Sequence, residues 1–193
     1  MDFLIIDLEG TCCDNRKGGV DKTIPTTETE TIEIGAVIAN LDGKITHEFS
    51  QLVRPVRHPV LTEFCTALTG ITQADVDGAK TFSEVWPSFL EWVRQRYERY
   101  SFCSWGRYDL DQLRKDCYHH GVRLGFNSLE LGFNSHCDLC KAFGRRVGNR
   151  KAAHLLGIEP QGTHHRGLDD ARNIAAVLAA MSKSGRRIRS CLL

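Results

Sequence analysis

No apolar run in this chain reaches the roughly 18 residues that a bilayer-spanning helix requires, so no transmembrane helix is expected. The N-terminus has no basic stretch followed by an apolar run and a small-residue cleavage site, so no signal peptide is read there. Charge of one sign is not in excess: 25 Lys and Arg against 24 Asp and Glu leave a formal net charge of +1. Bulk charge therefore does not announce a nucleic-acid partner. Internal repeats and low-complexity linkers are missing, which argues against a repeat array. The zinc pattern is incomplete as well. Cys137 and Cys140 form a lone CxxC, and a structural zinc site needs a second paired half. The terminal Cys191-Leu192-Leu193 is one residue too short for prenylation. With no leader, the 8 cysteines are expected as reduced thiols of a cytoplasmic protein.

The 193 residues, 41% hydrophobic and 25% charged, suit one globular domain with a sizeable core. We place that domain at residues 1–183 and a basic tail at 184–193. Basic residues are bunched at Arg94, Arg96 and Arg99, at Lys141, Arg145, Arg146, Arg150 and Lys151, and at Arg186, Arg187 and Arg189. Such clusters suit phosphates, and equally suit solvated helix faces. The chain opens with predicted strands at 3–9, 31–38 and 45–53, the last two joined by a turn containing Asp42-Gly43. Residues 12–28 read as a loop. Short helices are predicted at 60–68, stopped by Gly70, and from Thr72 through Val76. A longer helix, capped by Ser83, carries Val85, Trp86, Phe89, Leu90 and Val93 at helical spacing, with Pro87 near its first turn. A strand at 100–104 precedes a helix at about 109–120 ended by Gly121. Helical stretches follow near 138–147 and 151–156, and a last helix runs from about 168 to 182. This order predicts an α/β domain with a central mixed β-sheet flanked by helices.

Acids interrupt this apolar pattern at chosen places. Asp7 and Glu9 end the first strand two residues apart, so they share a face. Two like charges held that close are best tolerated with a cation between them. Asp109 starts a helix just after a strand, where a carboxylate also suits the helix dipole. Asp170 lies on the stripe of Ile174, Val177 and Met181, the inward face of the last helix, where a carboxylate is costly unless paired or bound to a cation. Asp169, one step around, is left to cap or to face solvent. His165 precedes that helix on a glycine-flanked loop, and histidine can take a proton from water near neutral pH. Oxygen ligands suit Mg²⁺ or Mn²⁺. Four carboxylates and a histidine suit a hydrolase holding two such ions about 4 Å apart.

The ordered set Asp7-x-Glu9, Asp109 and His165-x4-Asp170 resembles the DEDDh 3′-to-5′ exonuclease superfamily. The strings Glu33-Ile34-Gly35-Ala36-Val37, Leu68-Thr69-Gly70-Ile71-Thr72, Cys103-Ser104-Trp105-Gly106-x-Tyr108-Asp109 and His164-His165-Arg166-Gly167-Leu168-Asp169-Asp170-Ala171-Arg172-Asn173-Ile174-Ala175 resemble its ERI-1/KapD-like exoribonuclease branch, over about residues 3–180. The resemblance implies an RNase H-like fold and a two-metal site of Asp7, Glu9, Asp109 and Asp170, with His165 as general base. It implies that Glu9, Gly10, Thr11, Leu68 and His165 meet the terminal nucleotide. Trp105 matches a family position, and a core aromatic would match it equally. His164 stands beside His165, and the spacing to Asp170 favours His165 as the base. Gly10 stands where relatives often carry alanine. No SAP-type module is seen at either end. The expected activity is hydrolysis of single-stranded or overhanging RNA 3′ ends to nucleoside 5′-monophosphates. A DNA-preferring enzyme with the same residues and a catalytically silent RNA-binding module are the alternatives.

Overall fold

The computed structural model describes residues 2–14, 23–96, 100–123 and 136–184. Arg99, residues 185–193 of the basic tail and residues 15–22 of the predicted loop at 12–28 lie outside them. The elements run β1 (Asp2–Gly10), β2 (Thr31–Asn40), β3 (Ile45–Arg54), α1 (Glu63–Thr69), α2 (Gln73–Asp77), β4 (Lys80–Thr81), α3 (Phe82–Arg94), β5 (Tyr100–Ser104), α4 (Tyr108–His119), β6 (Cys137–Asp138), α5 (Leu139–Phe143), α6 (Asn149–Leu155) and α7 (Gly167–Lys183). They form a mixed sheet in the order β4-β3-β2-β1-β5-β6. β1, β2 and β3 pair antiparallel, while β5 joins β1 in parallel.

The alternation of β1 sorts two cores. Leu4, Ile6 and Leu8 pack with Ile34, Ala36 and Ile38 against α3 and α4. Phe3 and Ile5 pack with Val37 and Ala39 against α5, α6 and α7. Both faces of the central strand are covered, which explains its unbroken apolar run. The β2–β3 turn forms as expected. Gly43 adopts φ 86°, and the Asn40 side chain accepts the N–H of Asp42 and of Lys44. Gly70 caps α1 in the left-handed region, and Thr72 with Asp75 forms a capping box on α2.

Three expectations change. The cap of α3 is Thr81, whose N–H is accepted by Glu84, and not Ser83. Pro87 therefore sits in the second turn. The helix predicted over 138–147 is a single turn ended by Gly144, after which the chain doubles back to α6. Cys137 is disulfide-bonded, so the cysteines are not all reduced thiols. Among the described residues six others are not in disulfides, and no cysteine joins a metal-ligating cluster. No helix of the described residues is long and apolar enough to cross a membrane.

Candidate active site

β1 carries its charge where its strand partner leaves. Parallel pairing with β5 ends at Ile5 opposite Cys103. Beyond that point β5 turns through Gly106 into α4, and the Leu8 N–H is taken by the Asp109 carboxylate at 2.9 Å. Asp7 and Glu9 continue the Phe3 and Ile5 face, so they look toward α7 rather than toward α3 and α4.

The start of α7 is pressed onto that face by two glycines. A Cβ on Gly35 would lie 1.9 Å from the Gly167 carbonyl carbon, and one on Gly167 would lie 2.8 Å from the Asp7 carbonyl oxygen. Only glycine permits this approach. Glu33, opposite Glu9 in the β1–β2 ladder, fixes it. Its buried carboxylate receives Arg166 Nε and Nη2, each at 3.1 Å, and the Gly167 N–H at 3.0 Å. A carboxylate at a helix N-terminus is favoured by the exposed amides and the dipole. One turn later Asp170 projects inward, 2% exposed.

The carboxylate oxygens of Asp7, Glu9 and Asp170 can lie within 4.8 Å of one another. A second such group is His164, His165 and Asp170. Asp109 belongs to neither; one of its oxygens accepts the Leu8 N–H, and it lines the same cavity. That cavity, about 320 Å³, is walled by Asp7, Glu9, Asp109, Asp170 and both histidines, with Leu68, Trp105 and Tyr108 as its apolar side.

Packing these acids together resists their ionisation. Burial, and then the charges of Asp109, Glu9 and Asp170, holds Asp7 well above the usual carboxylate range. Burial, followed by Asp170 and Glu33, raises Glu9 to about 8. Asp109 rises to about 7 through burial, against the lowering hydrogen bond from Leu8. The oxygen donor set is therefore one that a divalent cation fits, since the cation would restore the ionised forms.

His165 adopts φ 59°, a left-handed conformation rare for a residue with a Cβ. Its N–H is held by the Asp170 carboxylate at 2.9 Å, which stabilises the turn. Its Nδ1 lies 4.0 Å from Glu9 Oε1, while His164 Nδ1 lies 3.2 Å from Asp170 Oδ2. The two rings stack at 3.9 Å between centroids. Burial, then the adjacent His164, pushes His165 below its ordinary value. Asp169 accepts from Thr163 and Arg172 outside this cluster.

Of the residues expected at a nucleotide, Glu9, Gly10, Leu68 and His165 line the cavity. Thr11 does not: its hydroxyl oxygen accepts the Glu30 N–H at 2.9 Å, and the residue is 1% exposed. Thr11 lies just past β1, which ends at Gly10 where the register with β2 shifts, so strand alternation does not carry it onto the Glu9 face. A Cβ on Gly10 would lie 2.6 Å from the Tyr108 hydroxyl, so the glycine makes room for that ring. Trp105 serves both readings, packing against the α7-side core and donating Nε1–H to the Val147 carbonyl at 2.7 Å while it lines the cavity. Sequence reasoning passed over the positioning pair Glu33 and Arg166. It also passed over Asn149, which lines the cavity beside Gly148.

Residues 4–178 match the exonuclease family model RNase_T. ERI1 exoribonuclease 2 of Homo sapiens is 31% identical over 211 residues, 96% of this chain and 29% of its own length. The 3′-5′ exoribonuclease 1 of Rattus norvegicus is 31% identical over 198 residues, 96% of this chain and 54% of its own. The chain thus spans about a third to a half of these curated relatives. The nuclease domain of 3′hExo, a DEDDh family member bound to rAMP, superposes with a TM-score of 0.80 at 29% identity, covering 96% of this chain and 93% of that domain. A 3′-exonuclease recognising a histone mRNA stem-loop superposes with a TM-score of 0.80 at 27% identity, covering 96% and 83%. The fold is RNase H-like, and the chain belongs to the RNase_T exonuclease family, in the ERI-1-like branch of its DEDDh members.

Proposed function

We propose that this chain removes nucleotides from the 3′ ends of RNA, releasing nucleoside 5′-monophosphates. The observation that carries the reading is the convergence of Asp7, Glu9 and Asp170 within 4.8 Å, beside His165 and in one cavity with Asp109. Asp7, Glu9, Asp109 and Asp170 would hold two Mg²⁺ or Mn²⁺ ions. Bound there, the ions supply Lewis acidity to the scissile phosphate and offset the charge developing on the departing oxygen.

The chain's own groups do the rest. Burial and then His164 hold His165 below its ordinary value, which favours the neutral form that can accept a proton. Its Nδ1 faces Glu9, which leaves Nε2 to take the proton of the attacking water. As the water oxygen bonds to phosphorus, the P–O3′ bond breaks and the shortened strand leaves with a 3′ hydroxyl. Leu68 and Tyr108, 38% and 51% exposed, offer apolar surface to a terminal base. RNA is favoured over DNA by the relatives, which are named exoribonucleases.

The test is digestion of 5′-labelled RNA and DNA oligonucleotides of one sequence in Mg²⁺, Mn²⁺ or chelator. The expected result is a metal-dependent ladder shortening from the 3′ end, faster on RNA, with 5′-monophosphates as product. Binding without cleavage would assign a silent module instead, and faster DNA digestion would reverse the sugar preference.

A further inference from the structure

The basic side chains of 141–151 do not line the catalytic cavity, although Gly148 and Asn149 of the same segment do. Residues 139–155 contain Lys141, Arg145, Arg146, Arg150 and Lys151 and no acid. Lys141, Arg145 and Arg146 are exposed and line a second cavity of about 530 Å³, together with Gly106 and Arg107. The one acid on its wall, Asp138, is engaged as the cap of α5, accepting the Lys141 N–H at 2.8 Å. Arg107 is paired with Asp111 at 3.2 Å.

Two shared segments join this cleft to the catalytic cavity. Trp105 and Tyr108 line the catalytic cavity, and Gly106 and Arg107 between them line the basic one. Likewise Gly148 and Asn149 face the acids, while Gly144, Arg145 and Arg146 face the basic cleft. The junction is fastened. The Val147 carbonyl accepts Trp105 Nε1–H at 2.7 Å, and the Cys140 thiol contacts the same carbonyl at 3.6 Å. The helices on the Leu68 side, α1 and α2, expose Glu63, Asp75 and Asp77. A polyanion leaving the acid-lined cavity is repelled on the α1 side and attracted on the α5 side.

We infer that the cleft of Lys141, Arg145 and Arg146 is the track for the substrate strand, holding the phosphates of nucleotides on the 5′ side of the scissile bond. The inference rests on the exonuclease reading and extends it to how a strand longer than two nucleotides is gripped. Contact through phosphate alone makes the track indifferent to base and sugar.

The test compares wild type with the Lys141→Ala/Arg145→Ala/Arg146→Ala variant on a dinucleotide and on a labelled ten-nucleotide single strand. Binding of the ten-mer is measured by fluorescence polarisation in EDTA across a salt series. For single strands each phosphate contact contributes about 0.7 to the slope of log affinity against log salt, so the slope should shrink by about 2. Affinity near 0.1 M salt should fall on the order of a hundredfold. kcat/KM on the ten-mer should fall with it, while dinucleotide cleavage stays at the wild-type level. The Arg145→Lys/Arg146→Lys variant should keep most of the binding, because point charges suffice for phosphates. An unchanged salt slope overturns the track. So does an equal loss on dinucleotide and ten-mer with an unchanged thermal midpoint. If wild type cleaves neither substrate, the catalytic reading fails, and the EDTA binding series still decides the track.

Discussion

Removing divalent metal should make stability fall as pH rises, the reverse of ordinary acid denaturation. The folded Glu9 carboxyl keeps its proton up to about pH 8, whereas the unfolded one loses it near 4.5. Between those values the folded state binds more protons than the unfolded state, so rising pH favours unfolding. The stabilisation from this difference is complete below 4.5 and is lost by about 8. For Glu9 alone it amounts to about 3.5 kcal/mol between pH 5 and pH 8. In a domain of this length that corresponds to a thermal midpoint lower by about 10 °C. Asp109, raised to about 7, adds to the same trend.

Thermal unfolding in EDTA at a series of pH values measures it, with Glu9→Gln as reference. The variant lacks the titration and loses one of the repelling charges, so it should be the more stable protein at pH 8 and show a flatter profile. Mn²⁺ should reverse the order, since a ligand at a hundred times its Kd stabilises by about 2.7 kcal/mol. That gain should grow with pH as the carboxylates ionise. A wild-type midpoint in EDTA that stays level or rises from pH 5 to pH 8 would refute the idea that these acids strain one another. A metal response equal at both pH values would refute their role as its ligands.

His165→Ala should lower kcat by about 10² to 10⁴, the usual range for a lost general base, with the thermal midpoint kept; near-wild-type cleavage would remove His165 from the mechanism. Wild-type activity should decline on the acid side only below the ordinary imidazole value, because burial and His164 hold His165 down; a decline centred above that value would contradict the assignment. Glu33→Gln weakens the bidentate contact to Arg166 and should cost about 2 kcal/mol of stability, seen as a lower midpoint in denaturant, together with a loss of kcat as α7 shifts. Gly35→Ala forces its methyl into the Gly167 backbone and should destabilise by about 3 kcal/mol or more; an unaffected protein would show that α7 can retreat without cost.

Much of this site was legible because regular elements convert spacing into direction. Period two placed Asp7 and Glu9 together, and period 3.6 turned Asp170 inward. What stayed hidden depends on contacts between distant segments or on elements too short to show a period. β4 and β6 are two residues each, so no alternation could reveal them. Glu33 looked like one residue of a motif, and its partner Arg166 is 133 positions away. A signal was available: a lone acid in a strand otherwise apolar, sharing a face with Gly35 and Val37 and standing across from Glu9.

Thr11 shows where spacing stops being informative. The resemblance implied a nucleotide contact for Thr11, yet β1 ends at Gly10, where the register with β2 shifts, and no strand period reaches Thr11. At this strand end Gly10 lies against the Tyr108 hydroxyl, and the Thr11 hydroxyl oxygen accepts the Glu30 N–H. Glu30 in turn accepts the N–H groups of Val56, Arg57 and His58, at 2.8 to 2.9 Å. The chain leaving Glu9 is thereby tied to the end of β3. The β1 end of the acid cluster is held by the sheet itself, and its other end by Glu33 at the start of α7. Repulsion among Asp7, Glu9 and Asp170 therefore meets a frame anchored on both sides, and it is relieved by protonation or by a cation rather than by movement of the strands.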